Sequence, residues 1–174
     1  RDTDRSRGLG DVYKRQGMIG GIGNSMILGN FDSTFAAHPE MALYIPLIGG
    51  TGGNVGTQSS AIVVQGLANS SLDAKNTFKQ VTKEAVVALI NATIISLLVY
   101  TYNFIRFGAT ATVTYSVSIS LFAVVMFASI FGTLVPMTLE KLKIDPAIAT
   151  GPFIAITNDI IGMMLYMGIT VLLS

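Results

Sequence analysis

The chain has 174 residues, of which 51% are hydrophobic and only 12% are charged, with a net charge of +1 and no cysteine. Soluble domains carry about 25% charged residues, so this composition excludes an ordinary soluble protein and favours a single domain in a lipid bilayer. The absence of cysteine excludes disulfide bonds and thiolate metal sites, and the small net charge gives no reason to expect a nucleic-acid partner.

The first 16 residues differ from the rest of the chain, because they contain five basic and three acidic residues and no apolar periodicity. We expect residues 1–16 to be a non-native or unrelated leader outside the fold. Residues 17–31 form an uncharged run of 15 residues, short of the roughly 20 that a spanning helix needs. This run predicts a truncated first span. A signal peptide is the weaker alternative, since the run is rich in Gly and Asn and no clean cleavage site follows.

The second predicted span, residues 41–66, follows a polar connection whose His38 is expected on the surface. Pro46 would deprive the Ala42 carbonyl of its helical partner. Five glycines then fall within eight positions, namely Gly49, Gly50, Gly52, Gly53 and Gly56. Each costs about 1 kcal/mol relative to Ala inside a helix, so we predict a broken or kinked backbone that lines a watery path. The alternative is that the glycines are contact points for neighbouring helices.

Polar side chains are concentrated in the same span, at Asn54, Thr57, Gln58, Ser59 and Ser60. Because unpaired polar groups are costly in lipid, these side chains require water, an ion or a partner helix. The residues that we predict to line a pore are Pro46, Gly53, Asn54, Gly56 and Gln58 from this span, and Pro152 from the last span.

The next connection combines a helix start with regularly spaced basic residues. Ser70 and Asp73 have the spacing of a capping box, and lysines recur every four residues at Lys75, Lys79 and Lys83. We predict a short amphipathic helix on the cytoplasmic leaflet. The third span, residues 84–105, begins with Glu84 in its first turn and contains Asn91, which is expected to hydrogen-bond across helices.

Two further spans complete the predicted bundle. Residues 108–115 are polar and β-branched and predict an exposed loop before a fourth span at residues 116–139. A tight connection at residues 140–144 leads to a fifth span at residues 146–173. Asp145 is placed to cap this last helix, and Pro146 suits its first position.

Basic residues predict the orientation, since cytoplasmic loops carry the excess of Lys and Arg. If the connections after the second and fourth spans are inside, they hold Lys75, Lys79, Lys83, Lys141 and Lys143. The two outside loops hold only Arg106. The chain is therefore expected to begin in the cytoplasm and end outside.

Asp159 is the one charge within the last span. A carboxylate at mid-membrane costs about 2.5 to 3.5 kcal/mol on insertion scales, so such residues usually face a bundle interior or a watery path. A hydrogen-bonded structural Asp is the alternative. Pro152 would free the Ile148 carbonyl to turn toward the path. A site of one carboxylate, backbone carbonyls and water suits a hard cation such as Mg²⁺, which sheds its water reluctantly.

Two stretches carry a family resemblance: PLIGGTGGNVGTQSSAIVVQGLA, which begins at Pro46, and DPAIATGPFIAITNDIIGMMLY at residues 145–166. The first resembles the signature of the membrane domain of the MgtE-type magnesium transporters. The second resembles that family's last helix. The resemblance covers residues 17–174 and implies Mg²⁺ as a transported ion, not a catalytic cofactor.

The resemblance also implies roles for single residues. In the family, an Asp and the backbone one turn earlier contact hydrated Mg²⁺ in a pore between two subunits, which assigns these roles to Asp159 and Ala155. Gly151 stands where some members have a pore-facing Asn, so only its carbonyl remains as a contact, and Gln65 stands where members often have Arg. Family members usually carry cytoplasmic domains that bind Mg²⁺ and close the pore. We expect these to be missing here, and this domain to conduct without their control.

We therefore predict an all-α membrane protein, a bundle of five transmembrane helices whose second and fifth members are kinked at Pro or Gly and line a pore. It is expected in the inner (plasma) membrane as a homodimer that moves hydrated Mg²⁺ into the cytoplasm. A structural or scaffolding subunit is the alternative. Catalysis is disfavoured, because the chain lacks a second mid-membrane Asp, a His-Glu-x-x-His motif and a base for a Ser nucleophile.

Overall fold

A computed structural model describes the backbone of residues 2–174 and the side chains of residue 8 and residues 10–174. Over this range the chain is helical. The α-helices are α1 (Asp2–Gly29), α2 (Asp32–Ala37), α3 (Ile45–Ala68), α4 (Thr77–Phe107), α5 (Thr112–Lys141) and α6 (Pro152–Leu173). Three short 3₁₀ turns connect them, at Pro39–Tyr44, Ala74–Asn76 and Pro146–Ala149.

Helix α5 is the centre of the bundle. It packs against α3, α4 and α6, while α1 packs on the outside of α6. Apolar residues from the 3₁₀ turn before α3, the start of α3, the first half of α5 and the second half of α6 form the main core. Its buried members are Met41, Tyr44, Ile48, Val113, Val117, Leu121, Val124, Met163, Tyr166 and Met167. Helices α3 and α6, which correspond to the second and fifth predicted spans, lie side by side.

Hydrogen bonds between helices stabilise the end of the bundle that contains the main core. The Tyr166 hydroxyl donates to the Met41 carbonyl at 2.8 Å, and the Ser116 and Thr170 hydroxyls lie 2.6 Å apart. The Tyr44 hydroxyl donates to the Asn103 amide oxygen. Buried polar groups are costly without partners, so these pairs specify one packing of α3, α4, α5 and α6.

Three helices are long and apolar enough to cross a membrane, among the residues that the structure describes. They are the segment Ala74–Phe107, which contains α4, together with α5 and α6. Helix α4 buries only a small part of its surface and exposes large apolar side chains along its length. A lipid-facing surface accounts for this exposure.

Helix α3 corrects the prediction of a broken backbone. It is helical without interruption over 24 residues. Pro46 lies in its first turn, where a missing N–H costs no helical hydrogen bond. The Ala42 carbonyl is not left without a partner either, because the Ile45 N–H donates to it at the end of the preceding 3₁₀ turn. A kink within the unbroken helix stays a prediction.

Helix α4 corrects the prediction of a separate amphipathic helix. The segment with Lys79 and Lys83 continues directly into the apolar part of α4. Asp73, and not Ser70, caps the 3₁₀ turn that precedes α4, since its carboxylate accepts the Lys75 N–H at 2.9 Å. Ser70 instead has a φ of 60° in the turn, so no capping box forms.

The fourth predicted span begins too late in the sequence. Helix α5 starts at Thr112, four residues before the predicted boundary. Val113 and Thr114, which we assigned to an exposed loop, are fully buried. The Thr114 hydroxyl donates to the Gly108 carbonyl at 2.7 Å. The β-branched segment that predicts a loop is therefore the first turn of a buried helix.

The fifth predicted span is not continuous. Asp145 caps only the 3₁₀ turn that follows it, by accepting the Ala147 N–H at 3.0 Å. The chain then breaks at Gly151, whose φ of 66° favours glycine, and α6 begins at Pro152. Ile148 therefore lies outside α6, and Pro152 cannot free its carbonyl from that helix.

The first predicted span lies within α1. This helix runs through residues 2–16 without a break and ends at Gly29, two residues before the predicted end. The interpretation of residues 1–16 as a non-native or unrelated leader concerns their origin and stays a prediction.

Candidate functional site

Asp159 lies half-buried on α6 and faces the glycine-rich side of α3. A Cβ atom placed on Gly53 would be 3.0 Å from Asp159 Oδ1, and one placed on Gly49 would be 3.7 Å away. Gly49 and Gly53 are one turn apart and therefore share a face of α3. The two missing side chains leave the room that the carboxylate occupies.

The backbone of Ala155 lies against the same glycine. A Cβ on Gly53 would be 3.7 Å from the Ala155 carbonyl oxygen. Asp159 and Ala155 thus present a carboxylate and a carbonyl oxygen on one face of α6, next to Gly53. Two of the residues predicted to contact the ion, and one predicted to line the pore, are brought together.

Gly151 stands at the start of α6. Its carbonyl accepts the Ala155 N–H at 3.1 Å, and no atom lies within 4 Å of the position that its Cβ would occupy. The carbonyl of Gly151 is thus engaged in the first helical turn, and a second lone pair on the oxygen remains available. Pro152 follows it, half-buried in the first turn of α6.

Asn158 points to a different side of α6 from Asp159. It is only 1% exposed, and its amide group occupies the space where a Cβ of Gly56 would lie. The amide donates to the Ile154 carbonyl at 2.9 Å, while Oδ1 has no hydrogen-bond partner in the described structure. The space beside Gly56 is therefore occupied by the Asn158 side chain of α6. Helix packing is the alternative role that the sequence left open for the glycines.

The other predicted pore residues on α3 separate into two groups. Asn54 and Pro46 are exposed, Asn54 being the residue after Gly53. Gln58 lies in a cavity on another side of α3, together with Glu84 and Asn91. Gln58 follows Gly53 by five positions, which is about 140° around the helix. The structure does not bring Gln58 to Asp159.

Two polar residues on the helices that pack beside α6 were not among the predicted pore or ion contacts, although Ser60 was named with the polar side chains of its span. Ser60 is fully buried and donates to the Ala149 carbonyl at 2.7 Å, which ties α3 to the turn before α6. Asn24 lies on α1, which packs on α6 through Gly20 and Gly23, and its Oδ1 is buried without a partner. The signal that could have revealed Asn24 is a polar residue, next to Ser25, within the uncharged run of residues 17–31.

The donors at the site limit the kind of ion that it can hold. Among the described residues, no group of three or more His, Cys, Asp or Glu side chains lies together. One carboxylate and one backbone carbonyl cannot replace the full coordination shell of a divalent cation. The arrangement fits an ion that keeps most of its water and touches the protein through that water.

Comparison with known proteins agrees with this chemistry. The model of the MgtE family, described as divalent cation transporters, matches residues 45–169. The magnesium transporter MgtE of Bacillus subtilis is 32% identical over 149 residues, which is 86% of this chain and 33% of that protein. The magnesium transporter MgtE of Thermus thermophilus is 31% identical over 156 residues, which is 90% of this chain and 34% of that protein.

A third relative extends the comparison to another bacterium. The magnesium transporter MgtE of Enterococcus faecalis is 28% identical over 149 residues, covering 86% of this chain and 33% of the relative. The chain thus spans about a third of the length of the curated relatives it matches. The family match includes α3 to α6 and the whole site around Asp159. The resemblance read from the two sequence motifs is confirmed, and the chain belongs to the MgtE family of divalent cation transporters.

Proposed function

We propose that this chain forms the membrane part of a Mg²⁺ channel or transporter that carries the hydrated ion into the cytoplasm. The observation that carries the proposal is that the half-buried Asp159 carboxylate and the Ala155 carbonyl lie together on α6. Both face the side of α3 where Gly49 and Gly53 have no side chains. The names of the relatives support Mg²⁺ as the ion. The family membership favours transport over catalysis.

The ion is proposed to pass with its inner water shell in place. Mg²⁺ loses water reluctantly and is usually held through one or two carboxylates with several waters retained. Asp159 supplies the charge, and the carbonyl oxygens of Ala155 and Gly151 accept hydrogen bonds from bound water. Contact through water keeps binding weak enough for the ion to leave again, which conduction requires.

Two copies of the chain are proposed to form one pore. A single chain contributes one carboxylate at this depth, whereas a symmetric pair contributes two, which matches the charge of one divalent cation. Twofold symmetry is the commonest arrangement of homo-oligomers. Asn54 and Pro46 are exposed on α3 in the single chain, and in this proposal they complete the pore lining next to the partner.

The direction of transport follows from the membrane potential. For a double charge, about 4.6 kcal/mol per 100 mV favours entry into a negative interior. We propose five spans in the inner (plasma) membrane, formed by α1, α3, α4, α5 and α6, with the start of the chain inside and its end outside. The excess of lysines in the connections after α3 and α5 supports this orientation.

Purified wild-type protein in vesicles tests the function directly. With a Mg²⁺-sensitive dye trapped inside and an inside-negative potential imposed, we expect the dye signal to rise faster than in protein-free vesicles. The rate should increase with the imposed potential, because the moving ion is charged. A signal equal to that of the empty vesicles would instead favour a structural or scaffolding subunit.

Single cysteines test the topology, since the chain has none of its own. Thr110 is exposed between α4 and α5, and Lys79 is exposed near the start of α4. We expect a membrane-impermeant thiol reagent added to whole cells to label Thr110→Cys and to spare Lys79→Cys until the membrane is opened. Labelling of Lys79→Cys alone in intact cells would contradict the proposed orientation.

A further inference from the structure

A cavity with both polar and apolar lining lies on the side of α3 that faces away from Asp159. Helices α3 and α4 both pack along α5 but share no extended contact with each other. The gap between them holds a cavity of about 310 Å³, which we call the Glu84 crevice. Its polar lining consists of Gln58, Ser59, Glu84, Asn91 and Ser129.

The polar groups of the Glu84 crevice have few partners within the protein. Ser59 and Ser129 are only 6% and 5% exposed, and neither hydroxyl forms a hydrogen bond to another described group. Glu84 forms no ion pair in the described part of the chain either. Gln58 and Asn91 are exposed at the mouth of the crevice and Glu84 is half-buried. Polar groups that face hydrocarbon need hydrogen-bond partners, and water or a ligand in the crevice would supply them.

The crevice extends from the start of the predicted third span into its apolar part. Glu84 lies seven residues into α4, about 10 Å along the axis from Thr77, and Asn91 lies about 10 Å further. Exposed apolar side chains, such as Ile90 and Ile94, lie next to Asn91 along α4 and are compatible with a lipid environment. Glu84 lies at the start of the predicted third span, and the Asn91 carboxamide, further along the apolar part of α4, is stabilised when something polar fills the space beside it.

We propose that the Glu84 crevice is a second, low-affinity site for a hydrated divalent cation, distinct from the site at Asp159. The Glu84 carboxylate supplies the charge, and the amide oxygens of Gln58 and Asn91 and the hydroxyls of Ser59 and Ser129 bind the ion's water. Hard cations prefer oxygen donors of this kind.

The size of the cavity agrees with a hydrated ion. One water takes about 30 Å³ in the liquid, so the crevice has room for about ten waters. An octahedral ion with six waters needs roughly 180 Å³ on the same scale. The crevice therefore accommodates the hydrated ion and several bridging waters. A single carboxylate predicts weak binding, in about the millimolar range.

Val87 provides a place to observe occupancy without removing a proposed contact. It lines the crevice one turn beyond Glu84. We expect Val87→Cys in purified protein to react with a small water-soluble thiol reagent, and Mg²⁺ to slow this reaction at about millimolar concentration. In the double variant with Glu84→Gln, the Mg²⁺ concentration needed for protection should rise at least about tenfold. This is the usual loss of affinity when a group in the outer shell of a metal site is removed.

Three further variants separate this site from the proposed pore and control for the loss of a charge. Asp159→Asn should keep the protection of Val87→Cys, because α3 stands between the two sites, and exposed Asp32→Asn should keep it as well. Gln58→Leu should weaken it, which provides a second test if Glu84→Gln does not fold. Counting bound Mn²⁺ by electron paramagnetic resonance gives an independent readout, and Glu84→Gln is expected to lose one weakly bound ion per chain.

Three results would overturn the proposal. A cysteine at position 87 that does not react would mean that the crevice is dry. Labelling that is unaffected by Mg²⁺, or that responds only to added phospholipid, would assign the space to water or to lipid. Protection and Mn²⁺ binding that persist unchanged in folded Glu84→Gln would remove Glu84 as the anchor. None of these results depends on whether the protein transports Mg²⁺.

Discussion

Replacing Asp159 by Asn is expected to lower the rate of Mg²⁺ entry into vesicles at least about tenfold, a loss of roughly 1.4 kcal/mol or more in ion stabilisation. The change keeps the shape of the side chain that fits against Gly49 and Gly53. It removes the charge that we propose offsets the cost of bringing a divalent cation to mid-membrane. In the proposed dimer both charges at the axis are lost together.

The measurement compares initial influx rates at equal protein content. Asp32→Asn is the matched control, because Asp32 is exposed on the short helix α2 and the same chemical change should leave the rate unaltered. Light scattering and thermal melting test whether Asp159→Asn remains folded and keeps its oligomeric state, and we expect both to be unchanged. Wild-type influx in this variant would remove Asp159 from the mechanism and leave the residues from Asn54 to Gln58 as the candidates.

Among the substitutions proposed for this protein, Gly132→Ala is expected to lower the free energy of unfolding the most. A Cβ at this position of α5 would lie only 2.5 Å from the Gly56 carbonyl oxygen of α3. Backbone atoms cannot rotate away as a side chain can, so the two helices must move apart. Overpacking of a tight interior costs about 1–3 kcal/mol, and we expect a value toward the upper end. The thermal midpoint of the purified protein in detergent reports the change.

Gly50→Ala is the matched control for this experiment. Gly50 is exposed on α3, and no atom lies within 4 Å of the position of its Cβ. The added methyl group is expected to be neutral or to stabilise the helix by up to about 1 kcal/mol, because Ala is the better helix former. Equal melting of the Gly132→Ala and Gly50→Ala proteins would show that the close approach of α3 and α5 does not limit stability.

Gly56 explains why so many glycines occur in an unbroken helix. It contacts α5 at Gly132 on one side and α6 at Asn158 on another. In a membrane, helices associate mainly through close packing and hydrogen bonds, and small residues permit that packing. The close packing of three helices at this one point offsets the low helix propensity of glycine. Local preference alone therefore predicted a break where the tertiary structure maintains a helix.

The sequence by itself determined the features that depend on transfer from water to lipid. Uncharged runs identified the apolar parts of α4, α5 and α6, and a lone carboxylate within such a run identified Asp159. Two motifs identified the family. These inferences hold because the cost of placing a charge or an open backbone in hydrocarbon does not depend on how the helices are arranged.

Only the tertiary structure decided which polar residues of α3 lie near Asp159. Gly53 lies beside the Asp159 carboxylate, whereas Gln58 faces the Glu84 crevice. The Ser60 hydroxyl donates a hydrogen bond to the Ala149 carbonyl. The break at Gly151 and the buried first turn of α5 were likewise decided by packing. The direction of a side chain relative to other helices depends on how each helix is rotated about its axis. Contacts between residues far apart in the chain set that rotation, and no local pattern in the sequence encodes it.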